Sequence, residues 1–147
     1  MSGNVKMIDI TAKKVQKRIA VAKGKIKLKP ETIKKIVEGE IEKGNVIAAA
    51  KLAAILAAKR TPTIIPLCHP IPLTGVNVEI SARKEEIEVK VEVKAEAKTG
   101  VEIEALTAVA IALITIWDMV KKHEKDEKGQ YPTTKIENIK VELKLKE

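Results

Sequence analysis

Phenylalanine is absent from this 147-residue chain, and tryptophan and tyrosine occur once each. Readers of single-stranded nucleic acid stack bases on exposed aromatic rings, and only Trp117, inside an apolar run, and Tyr131, in a polar stretch, are available for that. Cys68 is the sole cysteine, which excludes an internal disulfide. With two histidines beside it, the chain has too few soft ligands for a structural zinc site. The apolar run Ala105 to Trp117 holds thirteen residues, short of the roughly 20 that a spanning helix needs. The N-terminal MSGNVKMIDIT lacks the apolar core and cleavage site of a signal peptide, so a cytoplasmic protein with no membrane partner is expected. A glycine-rich phosphate loop is also missing, because neither Gly44 nor Gly100 lies in such a run.

What is present suits one folded domain over residues 1–147, with 45% hydrophobic and 33% charged residues. Lys, Glu, Ile and Val are abundant, a bias shared with hyperthermophile proteins. The net charge of +8 calls for an anionic partner. The lack of aromatics favours a phosphorylated small molecule over nucleic acid.

Periodicity divides the chain into elements. After an extended lead-in, Lys17–Leu28 alternates as a strand, with apolar residues at odd positions Ile19 and Val21 and even positions Ile26 and Leu28. That switch predicts a bulge near Gly24. Pro30 opens a helix that Gly44 is expected to end, and Asn45 caps an alanine-rich helix ending near Arg60. Four prolines between Thr61 and Leu73 predict a rigid, packed connection without regular helix. Two strands follow, with Val76, Val78, Ile80 and Ala82 on one face of the first and Ile87, Val89, Val91, Val93, Ala95 and Ala97 on one face of the second. A long helix spans Lys98–Lys122, and a last strand carries Ile139, Val141, Leu143 and Leu145 in one phase. Strand, helices, strand, strand, helix, strand is the order of an α+β ferredoxin-like (βαββαβ) antiparallel sheet with helices packed on one face.

The long helix holds the densest chemistry. Glu102 and Glu104 lie in its first turn, and Asp118 and Lys121 near its end share a face. Its middle has no polar side chain except threonines, so it should be covered on all sides, partly by a second subunit. Glu104 and Asp118 are fourteen residues apart, roughly 21 Å along a straight helix. One small ligand cannot easily touch both within one chain, which predicts a composite site at a dimer interface.

MIDIT near the start, KGN before the second helix, AAKRT at its end, PLCHP, and KTGVEIEALTA with DMVK together resemble the molybdenum-cofactor biosynthesis protein C family, the cyclic pyranopterin monophosphate synthases. The likeness covers nearly the whole chain. It implies a lyase that converts 3′,8-cyclised dihydro-GTP into cyclic pyranopterin monophosphate with release of pyrophosphate, as a homohexamer built as a trimer of dimers. Matched residue by residue, it makes Asp118 the principal acid or base, Lys121 its partner, and Lys43 a further catalytic position. It makes Leu67, Cys68, His69, Glu102, Ile103, Glu104, Arg18 and Lys144 substrate-binding. Asn45 stands where the family commonly has aspartate, and the chain ends soon after Lys144.

The implied reaction is oxidation-neutral. It therefore calls for general acid and base catalysis and for cations around the phosphates, with no redox cofactor and no protein-bound metal. A magnesium ion accompanying the triphosphate is left open. Plainer readings stand beside these roles. Glu102 and Glu104 also suit a helix N-terminus, and Asp118–Lys121 an exposed ion pair. Lys43 also suits a helix C-terminus, and Lys144 the solvated phase of a strand. His69, in an apolar proline-rich loop, needs a partner for its ring nitrogens. A non-catalytic ferredoxin-like module for RNA or an acidic partner is the alternative function, and a purely structural assembly subunit a third.

Overall fold

The computed structural model describes residues 3–147. Four strands, β1 (Gln16–Lys27), β2 (Leu73–Ala82), β3 (Glu86–Ala97) and β4 (Lys135–Lys146), form one sheet in the order β2-β3-β1-β4, every pair antiparallel. Helices α1 (Pro30–Val37), α2 (Val46–Lys59) and the single turn α3 (Thr61–Ile64) lie between β1 and β2, and α4 (Glu102–Glu124) lies between β3 and β4. This is the ferredoxin-like plan.

β3 shows why the sheet has two unlike faces. Its residues Ile87, Val89, Val91, Val93, Ala95 and Ala97 are all buried, and a fully buried valine or isoleucine is worth about 1.5–3 kcal/mol. The alternate charged residues lie on the opposite face, where Lys25–Glu86, Lys23–Glu142 and Lys90–Glu142 pair at 3.6–3.8 Å. Such half-exposed surface pairs add little stability. On the buried side α4 lies against β1, β3 and β4, while α2 lies against α4 and β2. Ala50 and Ala54 of α2, and Ala105, Ala108 and Ala112 of α4, are fully buried, consistent with close helix approach.

The face of β1 toward the helices keeps one phase, Arg18, Ala20, Ala22, Gly24 and Ile26, continued by Leu28 just beyond the strand, so the expected switch of face does not occur in it. Ile19 and Val21 lie on the outer face, where Val21, opposite Leu143, is nonetheless buried. The misreading came from counting only large apolar residues, because here alanine and glycine hold the inner positions under α4. The bulges exist, but they lie in β4, whose register against β1 shifts between Val21/Ala22 and between Lys23/Lys25. Asn138, at φ 58°, takes the second one. A Cβ on Gly24 would sit 2.8 Å from Ile139 and 3.0 Å from Val109, so its absence makes room for both. The first shift places Val141 opposite Ala22 but Leu143 opposite Val21. The four apolar residues of β4 are therefore not in one phase, and Lys144, opposite Ala20, faces the helices.

Two other expectations change. α1 ends at Val37, not at Gly44. Gly39, at φ 72°, closes it with bonds from its own N–H to Ile36 and from the Glu40 N–H to Lys35, the pair that satisfies the last carbonyls of a helix. The proline-rich connection contains the turn α3, with Pro62 in a first-turn position that needs no N–H donor. It lies on the surface of the chain, with Ile64, Ile65 and Leu67 exposed.

The Asn45 cap is as expected, its Oδ1 accepting from the Ala48 N–H at 2.9 Å. Glu124, in the last turn of α4, had no sequence signal. It is fully buried and accepts from the hydroxyls of Thr32 and Thr134 and from the Lys29 N–H at 3.1 Å. It thus ties the end of α4 to the start of α1 and to the approach to β4.

Candidate active site

Two clusters occupy opposite ends of α4. At its start, Glu104 is 1% exposed and Cys68 Sγ donates to its Oε2 at 3.6 Å. Glu102 points the other way and meets Lys144 Nζ at 3.2 Å. The β4 bulge is what gives Lys144 this role instead of a place on the solvated face. Glu104 Oε1 and Glu102 Oε2 are buried and have no donor among the described residues. Burial raises the Glu104 carboxyl above the ordinary carboxylate value, with the neighbouring Glu102 charge adding to it. The Cys68 thiol is pushed up to about 11, first by burial and then by Glu104, so it is not poised as a nucleophile.

His69 has the partner its setting demanded, its Nε2 lying 2.7 Å from the carbonyl of Ile8. With Lys98 Nζ donating to the Thr11 carbonyl at 3.1 Å, it holds the lead-in segment across this end of the fold. Leu67 and Ile103 are exposed at 42% and 37%. Arg18 is 6% exposed and donates from Nε to the Ala97 carbonyl. It lines a cavity of about 570 Å³ together with Lys13, Lys14, Lys144 and Lys146. Lys13, Lys14 and Lys146 escaped sequence reasoning. The adjacent lysines of AKK and the alternation of KLK were the available signals, but lysines are too frequent here for those to stand out.

At the other end, Asp118 accepts from Lys121 Nζ and from Lys43 Nζ, each at 3.1 Å. Those two lysines hold its carboxyl below the usual aspartate range, Lys121 more strongly. Lys43 does not sit at a helix end, since α1 has stopped six residues earlier; it reaches Asp118 from the loop before α2. All three side chains are 44–55% exposed in the single chain. The eleven candidate residues thus form two groups that α4, unbroken over 23 residues, keeps apart.

An unpaired buried carboxylate gives a testable consequence. Glu104 binds a proton more readily in the folded than in the unfolded chain. Stability therefore falls as pH rises from the ordinary carboxylate pKa to the raised native value, and the deficit is complete above it. Glu104→Gln removes that penalty, so its thermal midpoint at neutral pH should exceed the parent's by about 2–5 °C, with a flatter acid-side dependence. A lower midpoint for Glu104→Gln in calorimetry at pH 7 would contradict this.

A ferredoxin-like α+β chain with an Asp–Lys–Lys cluster, buried carboxylates and a cationic cavity has the features of an acid–base enzyme for an anionic small molecule. The MoaC family model matches residues 7–146, and the chain belongs to that family. A Pyrococcus furiosus protein is 65% identical over 97% of this chain and 92% of its own length. A Sulfolobus acidocaldarius protein is 59% identical over 95% and 98%, and a Saccharolobus solfataricus protein 57% identical over 100% and 99%. Each of the three is named probable cyclic pyranopterin monophosphate synthase.

Proposed function

We propose that the chain is a cyclic pyranopterin monophosphate synthase, a lyase of molybdenum-cofactor biosynthesis that converts 3′,8-cyclo-7,8-dihydro-GTP to cyclic pyranopterin monophosphate and pyrophosphate. Beside the family relationship, the observation that carries the reading is the Asp118 carboxylate held between two ammonium groups at 3.1 Å. Ring opening, ring closure and phosphate cyclisation each move protons, and this triad offers an ionised acceptor with two adjacent donors. The orphan Glu104 Oε1 suits an N–H group of a guanine-derived ring, with Cys68 beside it and Leu67, His69 and Ile103 the neighbours of these residues in sequence, while Glu102, turned the other way, meets the substrate from the Lys144 side. Arg18, Lys144 and the lysines around them suit the triphosphate, whose departing pyrophosphate carries growing negative charge.

The working unit is a homo-oligomer, a hexamer assembled as a trimer of dimers, with each site shared between protomers. Ile103, Ile114 and Lys121 fall within about 20° of one another around α4, with Asp118 about 40° from Ile114. Ile114, in the apolar middle expected to be covered, is 54% exposed. A protomer packed on this stripe would shield Asp118 and Lys121 from water and bring a second helix start within reach.

The reaction requires no redox cofactor, and any magnesium ion would arrive with the substrate's triphosphate. A cytoplasmic location without membrane attachment goes with this reading. α4 has the length and hydropathy to cross a membrane, but one face of it, including Ala105, Ala108, Val109, Ala112, Leu113 and Ile116, is buried in the chain. The binding-module alternative finds no support in the aromatics, because Trp117 and Tyr131 pack edge to face with centroids 5.0 Å apart. The test is incubation of the purified protein with the cyclised substrate. Equimolar cyclic pyranopterin monophosphate and pyrophosphate are expected, and an unchanged substrate with an active relative as control would refute the reading.

A further inference from the structure

The loop between α1 and α2 carries Lys43 to Asp118, yet its backbone makes no hydrogen bond to α4 among the described residues. Ile41, 5% exposed, anchors it in the core. Its other ties to α4 are side chains. Beside Lys43, Glu42 reaches Lys122 Nζ with Oε2 at 3.0 Å and His123 Nε2 with Oε1 at 3.2 Å.

The two contacts form a pair of rungs with opposite polarity. A cation on the loop meets an anion on α4, and the residue before it, an anion, meets the Lys122 ammonium one turn further along, with the His123 ring beside it. That arrangement also decides a competition. Lys122 is four residues after Asp118, the spacing at which an aspartate and a lysine pair on one helix. Were Lys122 free, it could take a carboxylate oxygen that Lys43 or Lys121 now occupies. Glu42 draws it away.

We propose that Glu42 is a positioning residue for the acid–base cluster: it fixes the loop against α4 and withholds Lys122 from Asp118, so that Lys43 and Lys121 alone share the aspartate. This rests on the reading of Asp118, Lys43 and Lys121 as the reacting groups. Glu42 is 52% exposed and Lys122 70%, so the contact contributes little to stability; its effect is on which lysine sits where.

The experiment measures kcat, KM and thermal midpoint for Glu42→Ala, Lys43→Ala, Asp118→Asn, the pair Glu42→Ala/Lys43→Ala and the pair Glu42→Ala/Lys122→Ala, all in the purified oligomer. Glu42→Ala is expected to lower kcat about 10- to 100-fold with KM within about 2-fold, up to the scale of a group misplaced by an ångström. Its midpoint should stay near the parent's. Adding it to Lys43→Ala should cost nothing more, and removing Lys122 as well should recover part of the lost kcat. Parental kcat in Glu42→Ala, alongside inactive Asp118→Asn and Lys43→Ala, overturns the positioning role and leaves the site reading standing. A loss that adds to that of Lys43→Ala, that Lys122→Ala does not relieve, or that follows a lower midpoint also overturns it. Parental turnover in Asp118→Asn and Lys43→Ala overturns the site reading itself.

Discussion

Asp118→Asn is expected to lose turnover by about 10²–10⁴-fold, the range for removal of a positioned general acid or base, while folding and assembling like the parent. Asparagine keeps the shape and one acceptor oxygen but cannot carry the charge that faces two ammonium groups at 3.1 Å. With Lys43 alone left beside the carboxylate, Lys121→Ala should fall in the same range. The side chains lie about half exposed at the surface of the chain, so neither change opens a cavity. The sign of the pH dependence follows from the lowered Asp118 pKa. Its ionised form persists below the usual aspartate range, and protonation of Asp118 should limit the rate only at pH values under that range. Single-turnover kinetics with purified cyclised substrate, with circular dichroism and size-exclusion profiles of each variant, measure all of this. Near-parental rates in both variants would remove Asp118 and Lys121 from the chemistry.

Mixing two inactive chains should restore activity. Glu104→Ala disables the start of α4 and Asp118→Ala its end, and the continuous helix separates these positions by roughly 21 Å. If a site takes its Glu104 from one protomer and its Asp118 from another, a mixed dimer has one doubly defective site and one intact site. Random pairing of equal amounts then yields about a quarter of parental activity, since half the dimers are mixed and each has half its sites. Chains must be unfolded and refolded together, or co-expressed with two tags, so that the mixed species is isolated. Inactive mixed dimers would mean that both carboxylates serve a site within one chain.

Much of the fold was legible in order of elements and in β3, where every second residue is apolar and every other one charged. Such alternation can bury one face only, and the strand settles accordingly. The cap at Asn45 and the acidic start of α4 were equally local. Misreadings arose where small residues or backbone irregularities decided the geometry. Ala20, Ala22 and Gly24 hide the buried phase of β1 from any count of large apolar side chains, and the bulges of β4 depend on a partner strand more than a hundred residues away. Those bulges turn Lys144 toward Glu102.

What the sequence by itself determined is the set of chemical groups and their separation along α4: carboxylates at one end, an aspartate and lysine at the other, and an apolar stretch too long for one ligand to bridge. Helix geometry follows from local hydrogen bonding, so that distance needed no tertiary knowledge. Only the tertiary structure decided which groups meet. Lys43 reaches Asp118 across 75 residues of sequence, Lys144 reaches Glu102 across 42, and Glu104 is left buried without a matching cation. These pairings depend on where a loop turns at Gly39 and where β4 slips against β1. Long-range packing sets such features, and no local pattern encodes them.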